Sequence, residues 1–203
     1  MTDTQKKPLW KNELVWLFLL TSGLFAILYS KFILGGYAYV FTDTGADTMQ
    51  INYAQYGLFS SLFRSGESGY VLQAGLGMDV SSYYPAYLIP YNLLILLAPQ
   101  RLLPWAVLAS AYLKMITISL VGYLFYRKLM QDGIGTMAAA LAWTFSGYVI
   151  LWGQHYGFCT CMALFTVFMY FLQCYLNGEQ RWKSAGLVLT VTMLLISSYY
   201  FLY

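Results

Sequence analysis

The chain has 203 residues, of which 60% are hydrophobic and only 9% charged, with a formal net charge of +3. A soluble domain carries about 25% charged residues, so this chain cannot cover a water-facing surface and a soluble architecture is excluded. Its Lys and Arg residues are scattered between apolar runs, which excludes a nucleic-acid footprint, since that needs basic residues gathered on one face.

Residues 1–13 are polar and basic and precede a long apolar run. A cleavable signal would have a shorter apolar core and a small-residue cleavage site. The run over 14–35 is long enough to span a bilayer, and no such site follows, so it reads as a retained first span. The second span is expected over 104–126, behind Pro104, which suits a helix start. The third is expected over 134–152, the fourth over 158–176 and the fifth over 184–203. The fold class is therefore an all-α membrane protein with about five transmembrane helices. A large first external loop, 36–103, carries interfacial helices. Within it the stretch YYPAYLIPYNLLILLA (83–98) is apolar but short and holds Pro85 and Pro90. It reads as an interfacial or re-entrant segment rather than a span.

Basic residues set the orientation. Lys6, Lys7 and Lys11 precede the first span, Arg127 and Lys128 follow the second, and Arg181 and Lys183 lie between the fourth and fifth. The positive-inside rule puts all three groups in the cytoplasm, so residues 1–13 are a cytoplasmic N-terminus. Loop 36–103 and the 153–157 turn are then external, in a multi-pass protein of the cell membrane. The last apolar run reaches Tyr203 with no polar flank, the pattern expected of a piece of a longer chain.

Few residues carry chemistry. Cys159, Cys161 and Cys174 fall inside apolar runs and read as small helix fillers. Asp43 and Asp47 follow the first span in VFTDTGADTMQINYAQY. Asp47 and Gln50 are three apart and share a helix face. Asp47 can simply cap the helix expected over 48–64. It can also serve as a general base at the outer surface, or with Asp43 as an oxygen ligand to a divalent metal. His155, the only histidine, lies in the WGQHYG turn on the same side, either as turn decoration or as a phosphate or proton partner. Lys114 falls near the middle of the second span, where an ionisable residue is costly and marks a functional-site hypothesis. A buried structural pair is its rival reading. Lys31 and Arg101 lie near the outer span ends, where they can snorkel.

An ordered set of motifs resembles the N-terminal part of the bacterial YfhO family of membrane proteins. DTMQINYAQYGLFSSLFRSGE is similar to a D-x-x-Q segment after the first span, and GLGMDV to a Gly-rich loop. YYPAYLIPYNLLILLAP, the Lys114-bearing AYLKMITISLVGYLFYRK and WTFSGYVILWGQHYGF follow in order. The resemblance implies a GT-C-type glycosyltransferase module. Such an enzyme takes a sugar from a polyprenyl-phosphate donor in the membrane lipid and passes it to a cell-envelope glycan or polymer at the outer face. It implies Asp47 or Asp43 as catalytic carboxylate and Gln50, His155, Arg101 and Lys114 as substrate-binding residues. No cofactor is implied with certainty; a divalent metal is possible. The runner-up is a transporter or flippase component using Lys114 as part of a pathway, and a non-catalytic scaffold is the third reading.

Overall fold

The structure is a computed structural model that describes residues 12–41, 48–67, 69–72, 77–81, 84–130, 132–179 and 181–197. It is nearly all helical. Three helices are long and apolar enough to cross a membrane: residues Gln100–Leu129, Gly133–Trp152 and Tyr156–Leu176. Two shorter apolar helices flank them, over Glu13–Leu28 and Trp182–Ser197.

Helix α1 (Glu13–Leu28) starts where the Asn12 side chain accepts the Leu14 N–H at 3.0 Å, with Glu13 in the first turn. An acid there suits the positive end of the helix dipole. The helix buries one stripe, Leu17, Thr21 and Phe25, four residues apart. Its other large apolar side chains, Trp16, Phe18, Leu19, Leu24 and Ile27 among them, stay exposed, as suits a face against lipid. The expected first span is interrupted at Tyr29, after which a separate short helix, α2 (Ser30–Leu34), follows.

Helix α6 (Leu103–Leu129) is the axis of the bundle, with Pro in its first turn and eleven buried residues. Helix α1 runs antiparallel to it. The Tyr123 hydroxyl donates to the Glu13 carboxylate at one end, and Ser22 and Tyr112 pair at 2.8 Å nearer the other. Thr21 and Ser119 join the two helices at 2.7 Å. Such polar pairs and small residues hold helices together where apolar burial gives no preference over lipid.

Helices α7 (Gly133–Thr144) and α8 (Gly147–Trp152) occupy the expected third span, broken at Phe145 and Ser146. Asp132 caps α7, accepting from Ile134 N and Gly135 N. Helix α9 (Tyr156–Leu176) runs parallel to α6. Trp143 Nε1 donates to Thr166 Oγ1 at 2.9 Å, and Gly122 of α6 faces both residues, where an added Cβ would make ordinary van der Waals contact with each at 3.7 Å. Helix α10 (Arg181–Ser197) packs on α9. Gly178, at φ +68°, ends α9 and lets Glu179 N return to Cys174 O at 3.0 Å, a left-handed cap that favours glycine. The Glu179 carboxylate then takes both Lys128 and Lys183.

The described residues between 36 and 103 form a packed layer. A π-helical turn (Thr48–Tyr53) leads into α3 (Ala54–Ser65), which ends at Gly66 with φ +74°. A two-stranded antiparallel hairpin follows, β1 (Tyr70–Val71) and β2 (Met78–Asp79), then α4 (Tyr84–Tyr87) and α5 (Pro90–Leu97). The proline-bearing stretch, expected as one interfacial or re-entrant segment, is divided into two short helices, the second starting at Pro90. Hydrogen bonds bind the layer: Ser60 Oγ to Ala98 O at 2.7 Å, Gln100 Nε2 to Gly57 O at 2.6 Å and Asn92 Nδ2 to Ala86 O at 3.1 Å. Buried Phe59, Leu62, Ile95 and Leu96 share one core with Leu103, Val107 and Ile118 of α6. The expected all-α fold therefore holds apart from the small hairpin, whose two-residue strands leave no periodic signal.

Candidate functional site

Asp43 and Asp47 lie outside the described residues. The next residue, Thr48, is fully buried and donates through its hydroxyl to the backbone carbonyl of Gln154 at 3.2 Å. That anchor ties the start of the π-helical turn to the 153–155 turn, beside His155. His155 stands at the N-cap position of α9 without a side-chain cap bond, its ring in a three-ring cluster with Trp152 and Phe158. Gln50 is exposed on the π-helical turn.

Lys114 is 2% exposed, and its Nζ donates to Tyr156 O at 3.1 Å. Among the described residues that carbonyl is its hydrogen-bond partner, and it also accepts Thr160 Oγ1 at 3.1 Å. Two of the three ammonium N–H groups are thus left to other acceptors. Tyr156 is the first residue of α9. Lys114 therefore marks the level at which α9 begins and the layer of α3, α5 and the 36–41 segment takes over. Sequence position alone put it at mid-span; the packing puts it at the floor of that layer. The N-terminus of a helix repels a cation and attracts an anion, so this ammonium stands where a negative charge would be favoured.

One turn earlier on the same face of α6, Ser110 is 1% exposed and its hydroxyl is buried with no hydrogen-bond partner. Buried polar groups are nearly always paired, so this orphan and the under-used ammonium mark one polar seam. Above it the rings of Tyr56 and Tyr156 stack at 5.3 Å, and the Tyr156 hydroxyl donates to Tyr39 O. Burial pushes the Tyr39 and Tyr56 hydroxyls up in pKa, so both are neutral donors at physiological pH.

The sequence-predicted residues therefore divide. His155 meets Lys114 around the start of α9, beside Thr48, which the sequence did not single out. Arg101 does not join them: it is exposed on the 3₁₀ turn Gln100–Leu102. It lies thirteen residues before Lys114 along one continuous helical segment, or about 20 Å at 1.5 Å per residue, too far for both to hold one phosphate. Sequence reasoning missed Ser110, although its i, i+4 spacing from Lys114 was readable, and it missed Tyr156, whose role is a backbone carbonyl. Among the described residues no group of three or more His, Cys, Asp or Glu is placed to hold a metal; the possible pair Asp43 and Asp47 lies outside them. No protein-family model, curated protein or solved structure matches this chain.

Proposed function

We propose that the protein is a membrane glycosyltransferase of the GT-C type, moving a sugar from a polyprenyl-phosphate donor to a cell-envelope glycan or polymer. The observation that carries the reading is Lys114, a buried ammonium with no carboxylate partner among the described residues, at the N-terminus of α9. A cation and a helix N-terminus together favour a phosphate, and a leaving phosphate needs such stabilisation as its bond to the sugar breaks. In this reading the chain crosses the membrane five times with its N-terminus in the cytoplasm, and loop 36–103 is external. Asp47, next to anchored Thr48, deprotonates the acceptor hydroxyl, and Asp43 stands beside it as a second carboxylate or joint metal ligand. Gln50 orients the acceptor, and His155 stands with Lys114 on the phosphate side. The motif resemblance to the YfhO family supports the same assignment.

Asp47→Asn tests it. A general base contributes about 10²–10⁴-fold, so sugar transfer by the full-length protein should fall by that much with expression unchanged, since Asn caps a helix about as well as Asp. Near-normal transfer would remove Asp47 from the mechanism and direct the same test to Asp43. A transporter or flippase is the second reading. It draws support from the interruption of the third apolar helix at Phe145 and Ser146, because broken helices at membrane depth often line substrate paths. Movement of a polyprenyl-phosphate sugar across vesicles without transfer would favour it.

A further inference from the structure

Arg101, set apart from Lys114, belongs to a different surface. A groove with a cavity volume of about 140 Å³ opens between α2, the extended segment 36–38 and the first turns of α6, lined by Phe32, Tyr37, Pro104, Trp105 and Leu108. Trp105 is 50% exposed and Tyr37 69%. Two cations lie next to its lining residues along the chain. Lys31 adjoins Phe32 on α2, and Arg101 precedes Trp105 by one helical turn. Both are exposed, and neither has a hydrogen-bond or ion-pair partner among the described residues.

The level of this groove follows from the bundle. Arg127, near the other end of α6, lies in the band with Lys128, Glu179 and Lys183. From Arg127 to Leu108 is nineteen residues, or about 29 Å along the helix, close to the roughly 30 Å of a hydrocarbon core. The aromatic lining thus stands where Trp and Tyr collect at a membrane surface, and the two cations stand at headgroup height.

We propose that this groove binds an anionic phospholipid. The acyl chain lies against Phe32, Trp105 and Leu108, and the headgroup phosphate lies between Lys31 and Arg101. A guanidinium offers paired N–H donors to phosphate oxygens, and a lysine beside it adds a point charge. Along α6, Leu108 at the floor of the groove is six residues or about 9 Å from Lys114, and Arg101 at its mouth is about 20 Å away, so the headgroup end is separate from the proposed donor site and the proposal does not depend on the glycosyltransferase reading.

The test uses the full chain in nanodiscs of phosphatidylcholine with added phosphatidylglycerol, and native mass spectrometry to count retained lipids. The wild type should retain phosphatidylglycerol in preference to phosphatidylcholine. Lys31→Gln and Arg101→Gln should each reduce that preference about fivefold, the usual contribution of one basic residue near an anionic surface. Trp105→Ala should shorten retention of either lipid. Arg64→Gln, which removes an exposed cation of α3 away from the groove, should change nothing. Equal loss in the Arg64 variant would mean general charge attraction and overturn the proposal, as would unchanged preference in the Lys31 and Arg101 variants. Retention of polyprenyl phosphate but not phosphatidylglycerol would also overturn it, assigning the groove to the sugar donor.

Discussion

At the scale of single residues, Lys114 and Ser110 are groups whose burial the fold does not repay. A buried ammonium meets a large desolvation cost unless paired, and replacing a buried charge by an apolar residue of similar volume is often neutral or stabilising. Lys114→Met should therefore melt at the same temperature as the wild type or higher, in nanodiscs at one fixed scan rate, while losing sugar transfer. Lys114→Ala, which empties the same space, should instead cost on the order of 2–5 kcal/mol, as truncations to Ala in a core do. If Met destabilises as much as Ala, the ammonium is structural glue and the phosphate role fails. Ser110→Ala removes a hydroxyl with no partner. Relieving such a group is worth about 1–3 kcal/mol, so this variant should be more stable without substrate and should bind the donor less tightly. A loss of stability would show that the hydroxyl is satisfied after all. The sequence made Lys114 conspicuous because a lone lysine in an apolar run is rare. It hid Ser110 because a serine inside a helix ordinarily satisfies itself on its own backbone, as Thr117, Thr144 and Thr190 do here.

At the scale of elements, Glu179 fastens three helix ends. Its carboxylate takes Lys128 from the last turn of α6 and Lys183 from the first turn of α10, directly after the Gly178 cap of α9. The two ammonium groups hold its pKa down to about 2, below the ordinary glutamate value. A carboxyl whose folded pKa is depressed contributes stability above its unfolded pKa, and that contribution disappears as pH falls through the folded value. The wild-type melting temperature should thus decline between about pH 4.5 and pH 2, whereas Glu179→Gln should melt lower at pH 7 and lose less over that interval. Parallel curves for the two proteins would show that the clamp adds nothing, as is common for exposed pairs. The elements themselves were largely legible. Apolar length found the three long apolar helices at the second, third and fourth expected spans, and Pro104 marked the start of α6; Pro85 and Pro90 argued against a span but did not show that the stretch divides into two short helices. The breaks at Tyr29 and at Phe145 and Ser146 were not, because neither contains Pro and the few polar residues there, Ser30 and Lys31 in one and Ser146 in the other, sit inside otherwise apolar runs. There the chain turns for tertiary reasons, and Tyr29 lies in the aromatic core against Phe25 and Tyr39.

At the scale of the whole molecule, the loop layer and the Glu179 cluster occupy opposite ends of α6, and the orientation of this axis decides where the site operates. The loop layer sits on the Leu103 end, where Ser60 and Gln100 bind it, while Lys128 and Glu179 meet at the Leu129 end. Positive residues remain preferentially in the cytoplasm, so the Lys128 end should be inside and the loop layer outside. Single cysteines at Ser65, at the end of α3, and at Asn177, beside the Gly178 cap, report on the two ends. Both positions are exposed. Each is introduced in a background lacking Cys159, Cys161 and Cys174, whose buried thiols lie within α9. A membrane-impermeant thiol reagent should label position 65 in intact cells and position 177 only after permeabilisation. The reverse pattern would place Lys114, His155 and the anchored Thr48 on the cytoplasmic side. The acceptor would then have to be cytoplasmic, and transfer to a cell-envelope polymer at the outer face would be untenable. Labelling of both positions in intact cells would mean that the helices between them do not cross an odd number of times, which the five-span arrangement requires. Protection of both would bury one end in a manner that the exposed caps of α3 and α9 do not allow.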